Sequence, residues 1–243
     1  MSKIFQVDAG GTLTTSLIAY YKLDESTGSN ALDFFSTHTL TDENANTSTQ
    51  TGKISGARGA FSSTQRIDTG SLFTIGETTA YSESFWLWRN ASISTNQDML
   101  CWGSGGGGGY RGYTYFDSGN TLKWLSEKVG GVNELTLDSA TTIALQTWTH
   151  VMITHSTGGA VFMYINNVQV ATGTETTQAA TDGPSFDLGS RFNANQLTDG
   201  YIDEVGLWSK VLSTQERSDL YNGGAGQTMI DGAGRRKSFP IWI

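Results

Sequence analysis

The stretch W-T-H-V-M-I-T-H-S-T-G-G-A-V-F-M-Y-I-N-N-V-Q-V-A-T, residues 148–172, decides the fold. Side chains of a β-strand alternate between its two faces, and in residues 148–155 both faces carry β-branched or large apolar residues. This pattern predicts a strand with little contact with water. Residues 156–159 and the pair Asn166-Asn167 tolerate positive φ, so we expect tight turns at both places. Successive strands that are apolar on both faces are typical of the middle of a two-layer β-sandwich.

The composition favours the same architecture along the rest of the chain. The 243 residues include 30 Gly and only 2 Pro, which suits short strands joined by tight turns. One helix is indicated, because Ser213-Thr214-Gln215-Glu216 has the pattern of a capping box and Gly223-Gly224 can end a helix. The sequence therefore predicts an all-β, two-sheet antiparallel sandwich with one short C-terminal helix.

Charge and cysteine content exclude several classes of protein. The formal net charge of -8 argues against a nucleic-acid partner, since phosphate binding needs a basic face. Cys101 is the single cysteine, so the chain forms no internal disulfide, and we expect this side chain to be a small buried apolar residue. Asp8 interrupts the apolar run of the first residues, so we expect no signal peptide there, and no stretch of the sequence is apolar for long enough to suggest a membrane helix.

Four segments carry a resemblance to a known family. They are A-Y-Y-K-L-D-E at 19–25, W-T-H-V-M-I-T followed by M-Y-I-N-N-V-Q-V-A-T-G within 148–173, F-D-L-G at 186–189 and G-Y-I-D-E-V-G-L-W-S-K-V-L-S-T-Q-E-R-S-D-L-Y-N at 200–222. Together they resemble the concanavalin A-like jelly rolls of the laminin G-like type. The resemblance covers residues 17–224, which leaves an N-terminal arm at 1–16 and a C-terminal tail at 225–243. It implies two sheets packed face to face and a role in binding carbohydrate or protein.

The resemblance raises the question of catalytic carboxylates, because this superfamily includes glycosidases. Laminarinase-like members carry a Glu-x-Asp-x-(x)-Glu strand whose outer carboxylates share one face, and that spacing does not occur in this chain. Asp203 and Glu204 are neighbours, so on a regular strand they would point to opposite faces. We therefore predict a protein that is not an enzyme, with a glycoside hydrolase as the third-ranked alternative.

The resemblance also implies a metal site. Many proteins of this type hold one calcium ion near an end of the sandwich, and the matching positions here are Asp24, Asp33 and Asp203. Calcium requires several converging oxygen ligands. The alternative is that Asp203 caps a turn or pairs with an arginine.

Sugar binding requires exposed aromatic rings beside hydrogen-bonding groups. Four aromatic residues surround the glycine run at 105–109 and are the predicted ligand-binding residues: Trp102, Tyr110, Tyr113 and Trp124. The alternative is that these rings belong to the core or to cross-strand pairs.

The two flanking segments suggest a cellular context. The tail ends in G-A-G-R-R-K-S-F-P-I-W-I, residues 232–243, and an apolar terminus is unfavourable in water unless it docks on a partner or on its own chain. We expect a carbohydrate-binding or adhesion component displayed on a phage or virus particle, with a glycan or neighbouring subunits as partners and homo-oligomers formed through the arms. The alternatives are a decoration protein without a glycan ligand and an extracellular location.

Overall fold

The computed structural model of the protein describes residues 12–43, 48–59, 66–69, 80–103, 111–128, 131–175, 185–190 and 199–229. These residues form fifteen strands and one α-helix, α1 at Thr214–Tyr221. The strands are Leu17–Tyr21 (β1), Thr41–Glu43 (β2), Ser48–Thr51 (β3), Gly56–Gly59 (β4), Arg66–Thr69 (β5), Tyr81–Arg89 (β6), Gln97–Gly103 (β7), Arg111–Phe116 (β8), Thr121–Lys128 (β9), Val132–Thr142 (β10), Thr149–His155 (β11), Ala160–Ile165 (β12), Val168–Thr174 (β13), Ser185–Leu188 (β14) and Gly200–Trp208 (β15).

The strands form two antiparallel sheets. The first sheet has the order β13-β12-β11-β6-β15-β4-β3, with β1 also paired to β15, and the second has the order β10-β9-β8-β7-β14-β5-β2. Buried apolar side chains from both sheets form a single core between them. The prediction of an all-β jelly-roll sandwich is confirmed.

Residues 148–172 form the buried strands and the tight turn that the sequence predicts. Every residue of β11 is buried, and β11 pairs with β6 on one side and β12 on the other. Asn166 and Asn167 both adopt positive φ, at 50° and 63°, so they form the predicted tight turn. β13, which follows this turn, is the edge strand of the first sheet and is partly exposed.

The predicted helix begins with the expected cap. The Ser213 hydroxyl accepts a hydrogen bond from the Glu216 amide, and the Glu216 carboxylate accepts one from the Ser213 amide at 2.8 Å. At the other end, Asn222 already adopts the left-handed conformation, with φ 47°. The left-handed cap therefore lies at Asn222, one residue before the predicted glycine pair.

The residue alternation along β6 separates two clusters. Phe85 and Leu87 point into the core between the sheets, so Trp86 and Trp88 lie on the outer face of the first sheet. A second apolar cluster covers one end of this outer face, and its buried members are Leu13, Tyr20, Met152, Tyr164, Trp208, Leu212, Leu220 and Met229. The first sheet is therefore apolar on both faces.

A β-bulge interrupts β15 and corrects one expectation. The register with β6 shifts between Asp203 and Gly206, and Glu204 has φ 51°. Ile202 and Val205 both lie in the core between the sheets, which requires one extra residue between them. Asp203 and Glu204 therefore do not point to opposite faces, because the bulge turns both carboxylates to the outer side.

Parts of both predicted flanking segments pack on the sandwich. The Trp208 indole N–H donates to the Leu13 carbonyl at 2.7 Å, and Met229 is buried in the outer cluster. Residues 1–11 and 232–243 lie outside the described residues, so particle anchoring and homo-oligomers formed through the arms remain predictions. Within the described ranges, no helix has the length and apolar character needed to cross a bilayer.

Arg58 fixes the loop that follows β1. Its guanidinium is fully buried, pairs with the Asp42 carboxylate at 2.8 Å, and donates to the carbonyl oxygens of Glu25 and Ser26 at 3.0 and 2.7 Å. A buried charge is tolerated when its hydrogen bonds are satisfied in this way. Strand β4, which carries Arg58, thereby holds residues 25–26 against the sheet.

Replacing Arg58 with Met is expected to destabilise the protein by about 3 to 5 kcal/mol, because the Asp42 carboxylate would be left buried without its cation. Urea unfolding of the variant measures this loss. The double variant R58M/D42N is the matched control and should recover part of the stability. A loss below about 1 kcal/mol in the single variant, as for an exposed pair, would contradict this role.

Candidate functional site

Three of the four aromatic residues predicted to bind ligand are buried. Trp102, Tyr113 and Trp124 are 2%, 3% and 0% exposed, and Tyr110 lies outside the described residues. Trp102 and Trp124 belong to the core between the sheets, whereas Tyr113 packs with Cys101 in a small cluster of its own. A buried ring offers no face to a sugar, so the prediction of an exposed cluster is wrong for these three residues. The expectation that Cys101 is buried is confirmed.

A buried carboxyl group explains the orientation of Trp102. The Trp102 indole N–H donates to Glu83 Oε2 at 3.2 Å, and the Thr114 hydroxyl donates to Glu83 Oε1 at 3.0 Å. Glu83 is fully buried, and this burial raises its pKa to about 7. The Trp102 ring is therefore held inside the sandwich by a hydrogen bond as well as by packing.

The structure does not bring the three predicted calcium ligands together. Asp33 accepts hydrogen bonds from the Tyr20 amide at 2.9 Å and the Thr37 hydroxyl at 3.0 Å. Asp24 and Asp203 instead both face residues 52–56, the turn between β3 and β4. There the Gly56 amide donates to Asp24 at 2.7 Å and the Ile54 amide to Asp203 at 3.0 Å.

The described side chains do not complete the expected three-aspartate calcium site. Across the described ranges, no group of three or more His, Cys, Asp or Glu side chains is placed to hold a metal ion. The residues present therefore do not fit the expected three-aspartate site. The alternative interpretation of Asp203, that it caps a turn, agrees with the hydrogen bond from Ile54.

The carboxylates at the bulge form a buried acidic pair. Burial raises the pKa of Asp203 well above its ordinary value, and the neighbouring Glu204 charge raises it further. Burial also raises the pKa of Glu204 to about 8, although the Tyr20 hydroxyl bonded to it acts in the opposite direction. The two residues are only 0% and 3% exposed, so a polymeric substrate has no access to them in this conformation.

An aromatic groove lies at the uncovered end of the outer face. Trp88 is directly opposite Tyr201 in the β6–β15 ladder, and Trp148 immediately precedes the β11 residue that pairs with Leu87. The Trp88 and Trp148 rings are 5.8 Å apart between centroids and inclined at 56°. All three aromatic side chains are half-buried and line a cavity of 370 Å³.

Glycine at position 59 lets the Tyr201 ring lie flat on the sheet. Gly59 is the β4 partner of Tyr201, and a Cβ atom at Gly59 would overlap the Tyr201 ring. The ring therefore extends across β4 toward the edge strand β3. This position makes Tyr201 the floor between the two indoles and the polar residues of β3.

Polar side chains complete the lining of the groove. They are Gln50, Thr51, Asn90 and Gln146. The Asn90 amide group donates to Asp199 at 3.0 Å, which fixes its orientation. Within the described part of the chain, the side chains of Gln50, Thr51 and Gln146 make no hydrogen bond to the protein. The groove thus combines half-buried rings with free amide and hydroxyl groups.

The segment S-E-S-F-W-L-W-R at residues 82–89 has the sequence of a buried strand, so its local pattern does not predict a half-buried Trp88. A partial signal was present, because Trp86 and Trp88 occupy the same row of β6 and the polar residue Asn90 follows soon after. The pairing of Trp88 with Tyr201, however, depends on the register of strands more than 100 residues apart in the chain. No local pattern reports that register.

The two antiparallel sheets and their connections define a jelly-roll β-sandwich. The family model described as the concanavalin A-like lectin/glucanases superfamily, of the laminin G type, matches residues 59–216. This match covers more than half of the sequence. The chain belongs to that superfamily, and the family resemblance inferred from sequence is confirmed.

Solved structures with the same fold include binding domains. Domain 4 of AbnA, a GH43 extracellular arabinanase from Geobacillus stearothermophilus in complex with arabinotriose, has a TM-score of 0.64 and 19% identity, covering 87% of this chain and 98% of that domain. The binding domain of Paraclostridial Mosquitocidal Protein 1 has a TM-score of 0.67 and 15% identity, covering 87% of this chain and 53% of that one.

A third similar structure is the ligand-binding domain of botulinum neurotoxin serotype D in complex with N-acetylneuraminic acid. Its TM-score is 0.66 at 16% identity, and the match covers 88% of this chain and 52% of that one. The present chain thus spans about half the length of the two toxin domains. At these identities the likeness shows the fold alone. A comparison with curated proteins found no match.

Substituting Glu83 with Gln is expected to change how stability depends on pH. The native carboxyl group, with a pKa of about 7, stays protonated over a range where the unfolded one, near 4.5, is ionised. Wild-type stability therefore falls as pH rises from 4.5 to 7. The variant lacks this titration. Its free energy of unfolding minus that of the wild type should therefore be roughly 3 kcal/mol larger at pH 8 than at pH 4.5. Urea unfolding at several pH values in this range measures the difference. The same dependence of the free energy of unfolding on pH in both proteins would contradict the prediction.

Calcium binding remains a prediction from the sequence, and thermal melting tests it. If Asp24 and Asp203 hold calcium together with backbone carbonyl groups, adding calcium after chelation should raise the melting temperature. The D203N variant, which keeps an acceptor for the Ile54 amide but removes the carboxylate ligand, should then lose this response. An unchanged wild-type melting temperature would remove the hypothesis.

Proposed function

We propose that this protein is a non-enzymatic carbohydrate-binding module whose ligand lies in the aromatic groove. The observation that carries the proposal is the set of half-buried rings Trp88, Trp148 and Tyr201 beside polar side chains that are free to bond a ligand. Sugar rings have apolar C–H faces and polar rims, so they are recognised by aromatic surfaces next to amide and hydroxyl groups. The cavity of 370 Å³ is within the usual size of small-ligand sites, about 300 to 1,000 Å³.

The chemistry of the groove favours binding over hydrolysis. Glycosidases need two carboxyl groups on either side of the scissile bond. Among the described residues, those that line the aromatic cavity are two tryptophans, a tyrosine, three amides and a threonine, and none of them is a carboxylic acid. The buried Asp203–Glu204 pair is separate from this lining.

The fold comparisons add support from outside the chain. Two structures that share the fold are described in complex with a sugar, arabinotriose in one case and N-acetylneuraminic acid in the other. These ligands belong to those proteins. They support a sugar ligand here because a jelly roll of this fold accommodates such binding. The position of the site in this chain is inferred from its own groove.

Removing both tryptophans of the groove is expected to abolish glycan binding. The W88A and W148A substitutions should each weaken affinity at least about tenfold, since central aromatic contacts dominate binding energy. A glycan array identifies ligands of the wild type, and titration calorimetry with the best of them measures each variant. Circular dichroism melting verifies that the variants fold.

The control is Y115A, which removes a half-buried ring from β8 of the opposite sheet. This variant should bind as the wild type does. Binding that survives W88A/W148A would place the ligand elsewhere. A wild type that binds no glycan on the array would favour the alternative of a decoration protein without a sugar ligand.

A further inference from the structure

The aromatic groove continues into a second open cavity. This cavity has a volume of 570 Å³, and Gln50 and Thr51 of β3 line both it and the aromatic cavity. The two cavities therefore meet at the edge strand of the first sheet. Together they form one groove that crosses β3, with the indoles at one end.

The far end of the groove is acidic. Asp24 and Glu25 line it together with Ser26, Thr49 and Ser55. Asp24 is exposed and accepts a hydrogen bond from the Gly56 amide at 2.7 Å, while Glu25 accepts one from the Leu32 amide at 2.8 Å. Both carboxylates are thus held at fixed positions beside the groove.

Among the described residues that line either cavity, none is a lysine or an arginine. The cations close in sequence to the lining residues face other groups. Lys53 places its ammonium group 4.6 Å from the centroid of the Trp86 ring, and Arg58 is buried on Asp42 and backbone carbonyl groups. Arg89 is buried and donates to the Ile143 carbonyl at 3.1 Å, and the Lys22 charge acts on the buried Glu204 carboxyl group. The field in the groove is therefore set by carboxylates, within a chain of net charge -8.

We propose that the groove takes an uncharged oligosaccharide longer than a disaccharide and discriminates against glycans that carry carboxylate or sulfate groups. This inference rests on the proposed sugar-binding function and specifies its ligand. The length of the ligand is inferred from the two joined cavities, because each is large enough for a small ligand. A disaccharide bound on the indoles would leave the acidic end of the groove empty. Exclusion of anions follows from repulsion by Asp24 and Glu25, since the described lining of the two cavities includes no lysine or arginine.

The test uses the purified full chain in calcium-free buffer containing chelator, so that no metal alters the charge of Asp24. The probes are matched pairs on one glycan array, each a neutral oligosaccharide and its sialylated or uronic-acid counterpart. We expect binding to neutral members, with affinity rising at least about tenfold from the disaccharide to the tetrasaccharide, and at least about tenfold weaker binding of the anionic partners.

The D24N/E25Q variant is the matched comparison, because both amides keep the acceptor oxygens for Gly56 and Leu32 while losing their charges. In this variant the affinity for each anionic probe, divided by the affinity for its matched neutral probe, should rise at least about tenfold above the wild-type ratio. Wild-type preference for the anionic members, or no gain in D24N/E25Q, would overturn the charge discrimination. Equal affinity for di- and tetrasaccharides would overturn the extended groove.

These outcomes are separate from failure of the proposed function. Loss of neutral-glycan binding in W88A/W148A supports the sugar-binding role even where the charge preference proves wrong. Absence of binding to every probe by the wild type would overturn both proposals.

Discussion

The structure depends on the position of β6 between β11 and β15. Antiparallel pairing on both sides fixes the register of all three strands, so the alternation along β6 decides what each face of the sheet contains. Phe85 and Leu87 enter the core between the sheets, whereas Trp86 and Trp88 face outward. An apolar outer face is unfavourable in water, and α1 with the segments at 12–16 and 225–229 covers most of it. These covering segments do not extend over Trp88, so the aromatic groove stays open to solvent.

Local signals were sufficient for the elements whose structure is set by neighbouring residues. The capping box at Ser213 predicted the start of α1, and the Asn166-Asn167 pair predicted a turn with two positive φ angles. The bulge also left a signal, because Ile202 and Val205 are three positions apart where a regular strand alternates every two. Treating residues 202–205 as a regular strand led to the wrong placement of the two carboxylates.

The candidate site could not be predicted in the same way, because exposure of an aromatic ring is a tertiary property. Trp102 and Trp124 looked like surface residues because they are close in sequence to a glycine-rich loop, yet their strands turn both rings into the core. Trp88 and Trp148 looked like core residues because their strands are strongly apolar. Only the pairing of distant strands and the extent of the covering segments decide which rings stay accessible.

The bulge and the groove are connected through β15. On the side away from β6, β15 pairs with β4 before the bulge and with β1 after it. The turn at residues 52–56 approaches the bulge between these two neighbours, where the Ile54 amide bonds to Asp203. That turn joins β3 to β4, so it fixes the strand that carries Gln50 and Thr51. The burial of an acidic residue, which is unfavourable on its own, thereby positions the polar side chains shared by both cavities.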